Sequence, residues 1–137
     1  MSTFSTRDEI IEIANRLFIY TDAQEWEKLS TEVFTELVTF DMSSVTGAPA
    51  KQMLASEICA MWKEGFKGID AIHHQAGNYL VTVKDERADV FCYATATHYI
   101  KENSHLKVFV GSYKLDLIRR KSGWRINGFR YNVKYMV

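Results

Sequence analysis

The chain has 137 residues, 47% of them apolar, which suits one cored domain over residues 1–137 and is too short for two. Seventeen Lys and Arg offset 17 Asp and Glu, so the basic surplus that nucleic acid or an anionic membrane would demand is missing. No apolar run is long enough to cross a bilayer, the first nine residues hold no apolar leader, and two cysteines, Cys59 and Cys92, make neither a disulfide framework nor a CxxC metal site; a cytoplasmic protein with reduced, buried thiols is expected.

In chain order, Thr6-Arg7-Asp8-Glu9 reads as a capping box. Ile10, Ile11, Ala14, Leu17, Phe18 and Thr21 follow at helical spacing, which predicts an amphipathic helix from residue 7 to about 21. Asp22 comes next and could cap a short second helix over 25–30 that carries Trp26. Residues 35–44, rich in Thr, Val and Phe, predict a first strand. Pro49 suits the start of a third helix, in which Met53, Leu54, Ile58, Met61, Trp62 and Phe66 share a face, ending between Gly65 and Gly68.

From Ile72 the period becomes two. Four strands are predicted at 72–83, 88–100, 107–119 and 124–135, joined by connections short enough for an antiparallel meander. Twelve residues span roughly 40 Å, and strands of that length must twist and curl. A curled sheet with helices on its concave side encloses a pocket. Strand 88–100 has two distinct faces. Ala88, Val90, Cys92, Ala94, Ala96 and His98 make a small, apolar face, whereas Phe91, Tyr93, Thr95, Thr97 and Tyr99 make an aromatic and hydroxylated one. The helices can cover only one of them, so the second predicts a homodimer through the outer sheet face.

Four histidines are present. His105 lies in a polar loop and carries no expected role. His98 is the titratable group on the small face of its strand, and hairpin pairing decides its neighbour. An even turn at 84–87 sets His73 opposite His98, while a bulge or an odd loop sets His74 there. Neither HxxxH nor HxH occurs, so no metal site is expected, and no GxGxxG, P-loop, GxSxG or HExxH is present. A carboxylate at Asp22 among aromatics would suit proton transfer.

The ordered set of Asp22-Ala23-Gln24-Glu25-Trp26, His74-Gln75-Ala76-Gly77-Asn78, Ala94-Thr95-Ala96-Thr97-His98-Tyr99, Gly111-Ser112-Tyr113 and Gly123-Trp124-Arg125-Ile126 resembles the SnoaL-like family of the nuclear-transport-factor-2-like superfamily. That superfamily also holds scytalone dehydratase and ketosteroid isomerase. The resemblance covers nearly the whole chain. It implies an α+β, cone-shaped barrel, with about three N-terminal helices on the concave side of a strongly curved, mostly antiparallel sheet. It also implies a homodimer, with no metal and no organic cofactor. Scytalone dehydratase uses an aspartate, two histidines and two tyrosines. The aspartate falls on Asp22 and the histidines on His98 and His74, with His73 the alternative. The tyrosine positions hold Thr21 and Met42, a departure from that pattern.

The expected catalytic residues are therefore Asp22, His74 and His98, and the expected substrate contacts are Phe18, Trp26, Met53, Trp62 and His73. The expected function is cofactor-independent acid–base chemistry (dehydration, isomerisation or cyclisation) on a small, mostly apolar carbonyl compound. The alternative is a non-catalytic small-molecule binder or dimerisation module of the same fold.

Overall fold

The computed structural model describes residues 3–137. Helix α1 (Thr6–Asp22) starts one residue earlier than a Thr6 cap would allow: Ser5 is the N-cap, its Oγ accepting from the Asp8 amide while the Asp8 carboxylate accepts from the Ser5 amide. The capping box is thus Ser5–Asp8, not Thr6–Glu9. The stripe Ile10, Ile13, Ala14, Leu17, Phe18 and Thr21 is buried, as helical spacing requires. A single turn, α2 (Trp26–Lys28), widens into a π turn over Leu29–Val33 and leads into β1 (Phe34–Asp41). Glu25 takes the N-cap position of α2 without a side-chain capping hydrogen bond, so Asp22 is not its cap.

Residues 43–54 depart from the sequence expectation. Instead of a helix starting at Pro49 there is a short helix α3 (Ser43–Thr46), then an edge strand β2 (Lys51–Leu54), and only then α4 (Ala55–Gly65). Asp41 holds the α3 N-terminus through the Ser43 amide at 2.9 Å, and Gly47 ends the helix at φ 75°, a left-handed conformation suited to glycine. Ser44 pins α3 to the sheet: its Oγ donates to the Tyr131 carbonyl at 2.8 Å and accepts from the Val133 amide at 3.0 Å.

The long strands are β3 (Ala71–Lys84), β4 (Arg87–Ile100), β5 (His105–Arg120) and β6 (Gly123–Met136). The sheet order is β2-β1-β6-β5-β4-β3. All neighbours are antiparallel except β1 and β6, which run parallel. The sheet is curved but not closed, and four register breaks contribute to its curl: between Phe34 and Thr39 in β1, between Gly77 and Leu80 in β3, and opposite Val110–Gly111 and Asp116–Leu117 in β6. The core lies between the concave face and α1 with α4. There Val90, Cys92, Leu115, Leu117 and Ile126 meet Ile10, Leu17, Leu29 and Ile58. Both cysteines are buried and unpaired. Among the described residues no helix is long and apolar enough to cross a membrane.

Candidate active site

The turn Lys84–Arg87 is even, so Val83 faces Ala88 and Val81 faces Val90. The β3 bulge then intervenes, with Asn78 at φ 57°, a conformation asparagine tolerates better than most residues. Beyond the bulge Ile72, not either histidine, faces His98, and His74 faces Ala96. The bulge moves the register in the direction opposite to the one that would pair His74 with His98. The outcome for the faces is the same: His74, Ala96 and His98 look into the cone, and His73, opposite Thr97, is exposed on the other side.

β3 is an edge strand, and the backbone N–H of His74 is free to bond outside the ladder. Asp22, the last residue of α1, uses it. One carboxylate oxygen accepts from the His74 amide at 2.8 Å and the other meets His74 Nδ1 at 2.6 Å. An ionised carboxylate only accepts, so Nδ1 carries the proton. In the neutral ring Nε2 is left as a lone-pair acceptor. The pair is mostly shielded, with the side chains 10% (His74) and 18% (Asp22) exposed, and Phe18 stacks on the imidazole at 5.5 Å.

Above this pair is a cavity of about 220 Å³. Leu17, Phe18 and Thr21 of α1, Met42 and Val45 at α3, Trp62 and Phe66 at α4, and His74, Ala96, His98, Phe109, Tyr113, Phe129 and Tyr131 of the sheet form its wall. Among the described residues, no lysine, arginine or carboxylate is in that wall. The Thr21 hydroxyl is committed to the Leu17 carbonyl at 2.6 Å. The His98 ring packs against Phe66 and Phe109, with ring centroids 5.8 and 4.9 Å away, and its nitrogens make no hydrogen bond among the described residues. Burial holds the His98 pKa below the ordinary histidine value, and repulsion from His74 and Lys107 adds to this; attraction from Asp22 opposes it and does not prevail. At neutral pH His98 is an uncharged imidazole.

Of the expected residues, Asp22, His74 and His98 are brought together, and Phe18 and Trp62 line the cavity. Three expected substrate contacts do not line it. Met53 is buried in β2, paired with Val38, as part of the core. Trp26 lies against Phe66 at 5.9 Å, behind the wall rather than in it. His73 is on the outer face because side chains alternate along a strand. Two tyrosines of the wall were not among the expected site residues, Tyr113 of β5 and Tyr131 of β6. They sit side by side across the ladder with ring centroids 4.7 Å apart. The signal was present in period two, since Tyr113 and Tyr131 share the parity of the buried positions Leu115 and Phe129.

A curved sheet wrapped on its concave side by helices is the nuclear-transport-factor-2-like fold. The chain belongs to the SnoaL-like domain family, whose pattern matches residues 2–130. The protein Kfla4162 from Kribbella flavida is similar at 28% identity and a TM-score of 0.92, covering 96% of this chain and 93% of its own. A provisionally named scytalone dehydratase from Novosphingobium aromaticivorans shares the fold at 14% identity and TM-score 0.80, over 94% of this chain and 84% of its own. So does hexachlorocyclohexane dehydrochlorinase LinA-type3 from Novosphingobium barchaimii, at 11% identity and TM-score 0.79, over 96% and 88%. No curated protein matches the chain.

Proposed function

We propose that the protein is a cofactor-independent acid–base enzyme of the lyase or isomerase type, acting on a small, neutral, mostly apolar carbonyl compound held in the cone. The observation that carries this reading is the double hydrogen bond from Asp22 to His74. It fixes the imidazole's tautomer and orientation and leaves Nε2 as a base at a cavity wall. A base so placed takes a proton from the carbon next to a carbonyl. The C–H electron pair becomes the enolate double bond, and the carbonyl π pair moves to oxygen. In a dehydration the enolate then expels a hydroxyl from the β carbon, and the proton on His74 leaves with it as water. In an isomerisation the substrate is a β,γ-unsaturated ketone: the dienolate takes the same proton back at the γ carbon, and the double bond moves into conjugation with the re-formed carbonyl. Each sequence balances with one base and no redox partner.

Substrate size and charge follow from the wall. A volume of about 220 Å³ falls below the range for drug-sized ligands and suits one or two small rings. With no cation in the wall, a carboxylate or phosphate would be buried uncompensated. The elimination chemistry in the names of the two distant structural relatives supports the same reading. The protein acts as a homodimer through the outer sheet face, where Leu80 is 69% and Tyr93 53% exposed.

The test is a panel of neutral cyclic ketones and β-hydroxyketones incubated with purified protein, with products identified by mass and NMR. Turnover of one or more, lost in Asp22→Asn and His74→Gln, is expected. Ligand binding with no turnover of any panel member would favour the non-catalytic member of the fold.

A further inference from the structure

Helix α1 meets the edge strand β3 at a second polar contact, away from the cavity. The Tyr79 hydroxyl donates to Asn15 Oδ1 at 2.5 Å. Neither residue lines the cavity, so the bond takes no part in holding a ligand. Asn15 and Asp22 are two helical turns apart, about 10 Å, and almost in line on one face of α1. The helix is thus fastened to β3 at two points, Asn15 to Tyr79 and Asp22 to His74. Phe18, on the turn between them, stacks on His74.

The β3 bulge brings Tyr79 to this place. Gly77 faces Tyr93 and Leu80 faces Phe91, so Asn78 and Tyr79 both stand against Cys92. Before the bulge the even-numbered Ile72, His74 and Ala76 turn inward; after it the odd-numbered Tyr79 and Val81 do. Without the extra residue Tyr79 would share the outer face with His73. Burial, with the nearby Cys92 thiol adding to it, pushes the Tyr79 pKa up to about 12, so the hydroxyl remains a donor at neutral pH.

Apolar contacts are not directional, so the buried stripe of α1 holds the helix on the sheet without fixing its rotation. The Asp22–His74 pair tolerates little roll. Its two bonds, at 2.8 and 2.6 Å, come from the two oxygens of one carboxylate, and both weaken steeply with misalignment. We infer that Tyr79 is a positioning residue of the site: its bond to Asn15 fixes the rotation of α1 about its own axis and thereby holds Asp22 on His74. For its catalytic meaning this role rests on the proposed function. The positioning itself is measurable without a substrate.

The backbone amide of His74 is the reporter. It donates to Asp22, so its hydrogen exchange follows each release of the carboxylate. In dilute urea, too little to unfold the chain, Tyr79→Phe keeps the ring and removes the hydroxyl. It is expected to speed His74 exchange by about fivefold to tenfold, the worth of one neutral hydrogen bond, with a rate that does not change with urea. Asn15→Ala should match it, and the two changes together should add nothing to either alone. Asn15→Asp, which keeps an acceptor, should keep the protection. A bond that only adds to stability would speed amides that need global unfolding, such as that of Leu115 in β5, and leave the local opening at His74 unchanged. That outcome overturns the inference, as do additive effects in the double variant, or His74 exchange that rises with urea in step with Leu115. Exchange of the protons next to the carbonyl of 1-indanone is followed in parallel. His74 protection that depends on Tyr79, with no ketone exchanged by the wild type, supports the positioning role and counts against the proposed function. Ketone exchange with a His74 amide indifferent to Tyr79 supports the proposed function and overturns the positioning role.

Discussion

Asp22→Asn perturbs the site at the atom that matters most. The carboxylate accepts from both the His74 amide and Nδ1, whereas a carboxamide has one acceptor oxygen and a donor NH2. If the oxygen stays on the backbone N–H, the NH2 faces Nδ1 and forces that nitrogen to accept. The proton then moves to Nε2, and the base in the cavity is lost. The same tautomer inversion in serine proteases costs about 10⁴ in rate, so a loss of roughly 10²–10⁴ is expected here. Both charge-assisted bonds become neutral ones in a pair only partly exposed, which costs about 2 kcal/mol, or about 7 °C in Tm for a chain of this length. The assay needs no substrate. Ring ¹⁵N shifts of His74 should show a bare Nε2 in the wild type and a protonated one in Asp22→Asn. A wild-type His74 protonated at Nε2, or the same tautomer in both proteins, would refute the reasoning.

Other outcomes follow from the same geometry. His98 should titrate below the ordinary histidine value of 6.5. Because its folded pKa is depressed, the unfolded chain binds the proton first, so stability falls as pH drops from about 6.5 through the folded pKa; His98→Asn should flatten that stretch of the curve, and an NMR midpoint at or above 6.5 would contradict it. Gly111→Ala should destabilise by at least about 2 kcal/mol, because its methyl would press on the Asn132 carbonyl and the Tyr131 hydroxyl; a denaturation midpoint unchanged from wild type would count against the packing described. Sedimentation should give twice 15.8 kDa at micromolar concentration, and Tyr93→Glu, on the exposed outer face, should give the monomer; a monomeric wild type would remove the proposed interface.

Much of the architecture was legible because it depends on local pattern. Period-two alternation placed β3 to β6 within a few residues, and helical spacing placed α1. Asp22 and His74 were readable from the ordered resemblance. What the sequence could not settle was decided by pairing between distant segments. The choice between His73 and His74 turned on where a bulge falls, and Asn78 gives only a weak sign of it. β2 is four residues long, too short for a period, and takes its strand form from pairing with β1. That pairing draws Met53 into the core. The helix expected to start at Pro49 and run through Met53 and Leu54 begins only at Ala55, after the strand that holds those two residues. Trp26 was expected as a substrate contact, yet the tight turn after α1 sets it behind Phe66. Tyr113 and Tyr131 had the right parity, but their convergence beside Phe18 depends on strand order, which no local pattern encodes.

The central claim is that His74, held by Asp22, moves a proton to and from carbon inside the cone. Its most direct test is exchange of the protons next to the carbonyl of 1-indanone in deuterated water, followed by proton NMR with wild type and His74→Gln at equal concentration. The account predicts exchange well above the buffer rate for the wild type and a loss of about 10²-fold or more in the variant. Equal rates in the two proteins, or a wild-type rate no faster than buffer, would contradict it.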